Sequence, residues 1–379
     1  MRGPRAVLGS ADPNPADPEA TMGSIRPLPS FASILVAGVL AAVAGAAFAA
    51  TGTAETGAET APAREPPAAS ANDDTYRLLR EATGAVVTVR TKALGDARSV
   101  ETLGAERTGS GIVIAPAGLV LTIGYLILEA DLVEVEDAGG RSLPASVVAY
   151  DHATGFGLLR VIGPLSSKPV TLGSSGSIEL LDRLMIAAGG AGGVSLATVV
   201  SRRTFAGYWE YLIDGAIFTS PPRTDHSGAA LIDRNGELVG IGSLLVMDAM
   251  SPGERLPGNM FVPIDLLKPI LAELVATGRR KAGRRPWIGV NSVEDDGHLK
   301  VLRVTTEGPA DAAGIRPGDI ILSVGGETIR GLADFYGKLW ASGEPGADVA
   351  LTVLQGADVR QVRVHSIDRA DFLRRKPVI

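Results

Sequence analysis

Thr224-Asp225-His226-Ser227-Gly228-Ala229-Ala230-Leu231, followed by Asp233-Arg234-Asn235-Gly236-Glu237-Leu238-Val239-Gly240-Ile241, is the stretch that decides the fold. It has the layout of a nucleophile turn leading into a strand, a tight turn and a second strand. A serine hydroxyl is a weak nucleophile unless a base takes its proton and a third group orients that base. The chain has four histidines, His152, His226, His298 and His365, and none stands where such a base is expected. Whether Ser227 does chemistry is therefore the question the sequence poses.

Upstream and downstream of this stretch, short apolar runs alternate with glycine and charged turns. One series runs through Ala85–Arg90, Gly111–Ile114, Leu119–Thr122, Leu132–Val135 and Ala145–Ala149. A second runs through Arg183–Ala187, Ser195–Val200, Ala216–Phe218, Ala230–Ile232, Leu238–Ile241 and Met260–Val262. Strands at this spacing predict two consecutive all-β units, barrels or sandwiches, of roughly 80 to 100 residues each. A short helix is expected over Asp73–Glu81. Apolar residues at helical spacing, Leu267, Ile270, Leu271, Leu274 and Val275, predict a closing helix over Pro263–Ala276 that ends at Gly278. The first and second units together occupy residues 73–278.

At 379 residues with 45% hydrophobic content and only 4% aromatics, the chain can bury two or three cores, and 47 glycines suit tight β turns. A net charge of −6 lacks the basic footprint of a dedicated nucleic-acid binder, so no nucleic-acid partner is expected. Phe31–Ala50 is uncharged and ends in Ala47-Phe48-Ala49. It reads as a secretory signal peptide cut after Ala49, with retention as a membrane anchor as the alternative. Met22 is a plausible start, and residues 51–72 read as a disordered spacer. Zero cysteines leave an exported protein to its cores alone. The basic run Arg279–Arg285 reads as a solvated hinge, within a linker over residues 279–286, or as a site for an acidic partner or membrane.

From Trp287 a separate small domain, residues 287–366, begins. Its signature is Gly308-Pro-Ala-Asp-Ala-Ala-Gly-Ile-Arg-Pro-Gly-Asp-Ile-Ile-Leu-Ser-Val-Gly-Gly-Glu-Thr-Ile329. A short helix, a sharp turn, a buried strand over Ile320–Val324 and a hairpin at Gly325-Gly326 are expected. An amphipathic helix over Leu332–Ala341 and strands over Ala347–Leu354 and Val359–Val364 complete it. The tail, residues 367–379, is charged and expected to fray.

The whole arrangement resembles the HtrA (Deg) family, exported trypsin-like serine proteases in which a chymotrypsin-type double β-barrel precedes a PDZ domain. The resemblance covers about Thr75–Val364. The family's Gly-Ser-Gly strand is matched by Thr108-Gly109-Ser110-Gly111-Ile112-Val113-Ile114. Where the family carries its general base, this chain reads Thr122-Ile123-Gly124-Tyr125-Leu126-Ile127, so Tyr125 takes that position. Asp151-His152-Ala153-Thr154-Gly155 puts Gly155 at the orienting aspartate. Asp225 stands at the glycine whose N–H would face an oxyanion. Only Ser227 of the triad survives.

The resemblance therefore implies a pseudoprotease, because a phenol with a pKa near 10 holds its proton at neutral pH. The rival expectation is an active serine endopeptidase with a rearranged base. His226 is adjacent to Ser227, and adjacent side chains on a turn diverge; His152 lies three residues before the missing aspartate. A PDZ domain implies capture of peptide C-termini or unfolded segments as an added strand, with loop N–H groups receiving the carboxylate. Trp287-Ile288-Gly289-Val290 matches that loop. Ile288 and Val290 are candidates to line the pocket, and Phe335 and Leu339 are either its facing wall or ordinary core. A homotrimer, or a hetero-oligomer with active relatives, is implied by the family. No metal or cofactor is expected.

Overall fold

The computed structural model describes residues 71–281 and 283–374. The expectations for the apolar segment, its cleavage, the start at Met22 and most of the spacer fall outside these residues. Helix α1 (Ala71–Thr83) begins two residues earlier than expected and leads into the first barrel.

That barrel is built from β1 (Val86–Ala93), β2 (Glu106–Ala115), β3 (Leu119–Ile123), β4 (Ala130–Glu136), β5 (Ser142–Tyr150) and β6 (Phe156–Val161), closed in the order β1-β2-β3-β6-β5-β4. A one-turn helix, α2 (Val100–Leu103), sits in the β1–β2 connection. The second barrel uses β7 (Arg183–Ala188), β8 (Gly193–Gly207), β9 (Tyr211–Ser220), β10 (Ala230–Ile232), β11 (Leu238–Val246) and β12 (Gly258–Pro263), closed as β10-β11-β12-β9-β8-β7. Closure leaves neither sheet with an open edge. Apolar side chains such as Val89, Leu121, Phe156, Phe218, Ile241 and Met260 are fully buried in one cluster shared by both barrels.

The barrels meet backbone to backbone. The Ser110 N–H on β2 donates to the Ser227 carbonyl at 2.8 Å, and Thr122 Oγ1 on β3 donates to the Ser110 carbonyl at 2.7 Å. A Cβ at Gly109 would lie 2.7 Å from the Ser227 carbonyl oxygen, and one at Gly228 would collide with that of Ser110. Gly228 also holds φ +74, a left-handed conformation that L side chains avoid. The Gly-Ser-Gly strand and the Ser-Gly turn are thus two halves of one contact.

The closing helix is shorter than the periodicity implied. Pro269 supplies no N–H and disfavours helical backbone at Lys268. The segment accordingly breaks into a 3-10 turn (Ile264–Leu266) and helix α3 (Leu271–Thr277), with Gly278 ending it at φ 74. Leu267, Ile270 and Leu274 still face the core, but Val275 is exposed.

Three cations of the basic run after α3 have partners; Arg279, Lys281 and Arg284 stay exposed. Arg280 donates to Asp151 Oδ2 at 3.1 Å, Arg284 to Asp368 at 3.5 Å, and the Arg285 guanidinium lies 3.8 Å over the Trp340 ring. Paired carboxylates and an aromatic face hold these cations against the surface they link.

The C-terminal domain is a sheet of β13 (Val290–Asp295), β14 (His298–Val304), β15 (Ile320–Val324), β16 (Glu327–Thr328), β17 (Asp348–Gln355) and β18 (Asp358–His365), in the order β13-β14-β15-β17-β18 with β16 paired to β15. Helices α4 (Pro309–Ala312) and α5 (Leu332–Ala341) cover it, with Phe335, Tyr336 and Leu339 fully buried. Gly325 and Gly326 both take positive φ in the β15–β16 turn, as the expected two-residue hairpin requires. The described part of the tail is docked rather than frayed. Asp368 caps α6 (Arg369–Phe372), and Phe372 packs 5.0 Å from Trp287 and 4.2 Å beneath Arg98. Among the described residues no helix is long and apolar enough to cross a membrane.

The contact between the barrels sets a test. Gly228→Ala adds a Cβ against the Ser110 carbonyl at a left-handed position, a cost of about 3 kcal/mol or more. The melting temperature falls by roughly 5–10 °C in a calorimetric scan; a drop under about 2 °C would mean the two turns separate freely.

Candidate functional site

A 3-10 turn (Gly124–Leu126) directly after β3 carries Tyr125 toward the second barrel. Its Oη lies 2.8 Å from Ser227 Oγ and 2.8 Å from the Ser243 carbonyl oxygen on β11. A phenol has one hydrogen, and a carbonyl can only accept. The Tyr125 hydrogen therefore points at Ser243, and the Ser227 hydroxyl is left to donate to the phenol oxygen. Burial pushes the Tyr125 phenol up to about 12 despite the pull of Ser227. Sequence reasoning paired Tyr125 with Ser227, and the structure brings the two together.

Gly155 lies on the same side of the cleft, and its backbone explains its identity. It holds φ +80, and a Cβ there would sit 2.8 Å from the Tyr211 hydroxyl oxygen. Tyr211 Oη in turn donates to the Thr154 carbonyl at 2.7 Å. The space beside Gly155 is thus taken by a phenol from β9.

Asp225 does not face the serine. Its carboxylate is gripped by the Arg223 guanidinium, Nε to Oδ1 at 2.7 Å and Nη2 to Oδ2 at 2.5 Å. Arg223, joined by the N–H of Asp225 itself, holds this carboxyl below the usual aspartate range. Arg223 is fixed in turn by Ser195 Oγ at 2.9 Å and by Asn259 Oδ1, which accepts from its N–H at 2.7 Å. His226 turns its Nδ1 to the Arg223 carbonyl at 3.2 Å, and burial lowers its pKa. His152 stacks edge-on against Tyr150 at 4.2 Å.

The second constellation lies in the C-terminal domain. The N–H groups of Ile288, Gly289 and Val290 converge, as expected of a carboxylate loop, and they converge on a carboxylate of this same chain. Glu210 accepts from Gly289 at 2.7 Å, Val290 at 3.0 Å and Ile288 at 3.2 Å. It sits at the tip of the β8–β9 hairpin. The Tyr336 hydroxyl on α5 donates to the Gly207 carbonyl at 2.6 Å and accepts from the Glu210 N–H at 2.9 Å. Burial pushes the Glu210 carboxyl up to about 7, against the three N–H donors and Arg369, which favour its charged form.

The six residues singled out in this domain have these places: Trp287 is packed on Phe372, Gly289 opens the loop at φ +83, and Ile288, Val290, Phe335 and Leu339 lie in its apolar core. Ala206 and Leu212 of the hairpin pack against that core from outside. A cavity of about 360 Å³ is lined by Tyr125, Ser243, Trp209, Tyr211, Trp287 and Arg369.

Glu210 and Arg107 were not anticipated. Arg107 is buried and donates to the carbonyls of Tyr125 at 3.0 Å and Leu128 at 2.7 Å, fixing the turn that presents Tyr125. The signal for Glu210 was present in Tyr208-Trp209-Glu210-Tyr211: three aromatics around one acid, in a chain with 4% aromatics.

The trypsin-like peptidase domain family matches residues 109–241, and the PDZ domain family matches residues 286–365. A probable periplasmic serine endoprotease DegP-like of Brucella suis is 29% identical over 279 residues, covering 68% of this chain and 52% of the relative. The periplasmic pH-dependent serine endoprotease DegQ of Escherichia coli is 26% identical over 277 residues, covering 68% and 59%. This chain thus spans just over half the length of those relatives. Among solved structures, the HtrA-type protease AlgW with a decapeptide superposes with a TM-score of 0.49 at 20% identity, over 80% of this chain and 99% of that one. The chain thus carries a trypsin-like peptidase domain followed by a PDZ domain, and it is similar to periplasmic serine endoproteases of the HtrA/Deg type.

Proposed function

We propose that this chain is an exported, periplasmic pseudoprotease of the HtrA type. In this reading it captures peptide C-termini or unfolded segments through its PDZ domain and serves envelope protein quality control as a regulator or scaffold. Assembly as a homotrimer, or with active relatives, belongs to the same reading. The observation that carries it is the phenol at the base position. With a pKa of about 12, only about one Tyr125 in 10⁵ is ionised at pH 7. The neutral phenol has no useful affinity for the proton that Ser227 must lose.

The Asp225–Arg223 pair also favours this reading, since the position that the resemblance assigns to a glycine with an oxyanion-facing N–H is held here by an aspartate anchored to Arg223. Loss of a triad base alone costs on the order of 10⁶-fold in kcat. Treated with a fluorophosphonate probe, the protein stays unlabelled and leaves unfolded casein intact at pH 7. Labelling abolished by Ser227→Ala, together with casein cleavage, would sink the proposal.

The 2.8 Å contact of Tyr125 with Ser227 favours one alternative, a hydrolase that uses the rare phenolate. Its signature is casein hydrolysis climbing about tenfold per pH unit between pH 8 and 10 and vanishing in Tyr125→Phe.

A rebuilt triad tests how far the site has moved. Tyr125→His with Gly155→Asp supplies the side chains but not the space, because the Tyr211 hydroxyl occupies it and the backbone is left-handed. The double variant stays inactive on casein, and Gly155→Asp alone lowers the melting temperature by roughly 4–8 °C. Recovered cleavage with an unchanged melt would show that the cleft still accommodates the ancestral groups.

A further inference from the structure

The PDZ domain meets, within its own chain, an arrangement with the chemistry of a bound C-terminus. Glu210 presents a carboxylate to the three loop N–H groups, at 2.7 to 3.2 Å. Two residues earlier, the Tyr208 carbonyl accepts from the Ser292 N–H on β13 at 2.9 Å, a backbone bond of the kind by which an added strand is held. On the opposite side, Tyr336 of α5 grips Gly207 and Glu210, while Ala206 and Leu212 cover the domain's apolar core. The tip of the β8–β9 hairpin therefore lies between β13 and α5.

Glu210 also holds φ +57. Glycine or asparagine would adopt that conformation more easily, so glutamate is there for its side chain. It is 7% exposed, and a carboxylate buried that deeply is stable only when its oxygens are satisfied. The loop N–H groups satisfy them.

We propose that the Gly207–Tyr211 hairpin tip is an internal ligand of the PDZ domain, occupying the groove through the Tyr208 carbonyl and the Glu210 carboxylate, so that a peptide with a free C-terminal carboxylate binds only by displacing it. This inference rests on the reading of the groove as a peptide site. The affinity of such a peptide is reduced by the fraction of molecules whose groove is open.

The experiment titrates the full chain with a fluorescein-labelled decapeptide ending in Tyr-Trp-Val with a free carboxylate, and with the same peptide as its C-terminal amide. Glu210→Ala binds the acid at least about tenfold tighter than the unaltered chain, and binds the amide no better. Equal affinity of the two proteins for the acid overturns the internal ligand and leaves the peptide site standing. If the open variant binds neither this peptide nor any member of a C-terminal library, the peptide site itself is overturned. Tyr336→Phe keeps the core volume while loosening the hairpin, and it strengthens acid binding in the same direction should Glu210→Ala fail to fold. On the unaltered chain, saturating peptide raises hydrogen exchange at Tyr208–Tyr211; exchange left unchanged by bound peptide overturns the proposal.

Discussion

The molecule depends on the place where Gly109-Ser110 of one barrel touches Ser227-Gly228 of the other. Two main chains approach so closely that neither glycine admits a Cβ, and the Ser110 N–H and Ser227 carbonyl satisfy one another across the contact. Backbone groups buried between two barrels must be paired, and here they are paired only while both turns keep their shape. The Ser-Gly turn is therefore needed for packing whether or not Ser227 does chemistry. Its presence in a sequence is evidence of the double barrel first, and of hydrolysis only when a base accompanies it.

The cleft around this contact is built from phenols and an ion pair rather than from a charge relay. Tyr125 bridges Ser227 and the Ser243 carbonyl, Tyr211 fills the space beside Gly155, and Arg223 neutralises Asp225. On the proposed reading each group is satisfied by a neighbour and has no unmet demand that a substrate would relieve. A triad works the opposite way, since its histidine gains a charge in the transition state and its aspartate is placed to stabilise that charge. Satisfied neutral hydroxyls stabilise the ground state, and catalysis requires stabilisation that grows toward the transition state.

What the sequence made legible follows the range of the interactions involved. Glycine-bounded apolar runs and the Gly-Ile-Arg-Pro-Gly-Asp turn are local signals, and the strands and the Gly325-Gly326 hairpin lie where they indicated. Tyr125 was placed against Ser227 by motif alignment, because β3 and the turn before β10 are fixed by the barrels. The helix over Pro263–Ala276 was misjudged locally, since periodicity was weighed above Pro269. The basic run, the tail and Glu210 were hidden for another reason. Arg280 to Asp151 spans 129 residues, and Glu210 to Gly289 spans 79. No periodicity encodes which distant carboxylate an arginine will find, and a glutamate on a hairpin tip reads as solvent-facing until its partner domain is in place.

The hairpin tip brings both halves of the protein to adjacent residues. Glu210 faces the PDZ loop, and Tyr211, the next residue, fills the cleft beside Gly155. An internal ligand needs no strong intrinsic affinity, because its effective concentration is set by the fold and not by supply. If the groove were open in about one molecule in a hundred, a peptide with micromolar affinity for the open groove would bind at about 100 μM. Only abundant or multivalent C-termini would then enter, and each would do so by lifting the strand that carries Tyr211. On the proposed reading, occupancy of the groove and the shape of the old active-site cleft are two readouts of one hairpin.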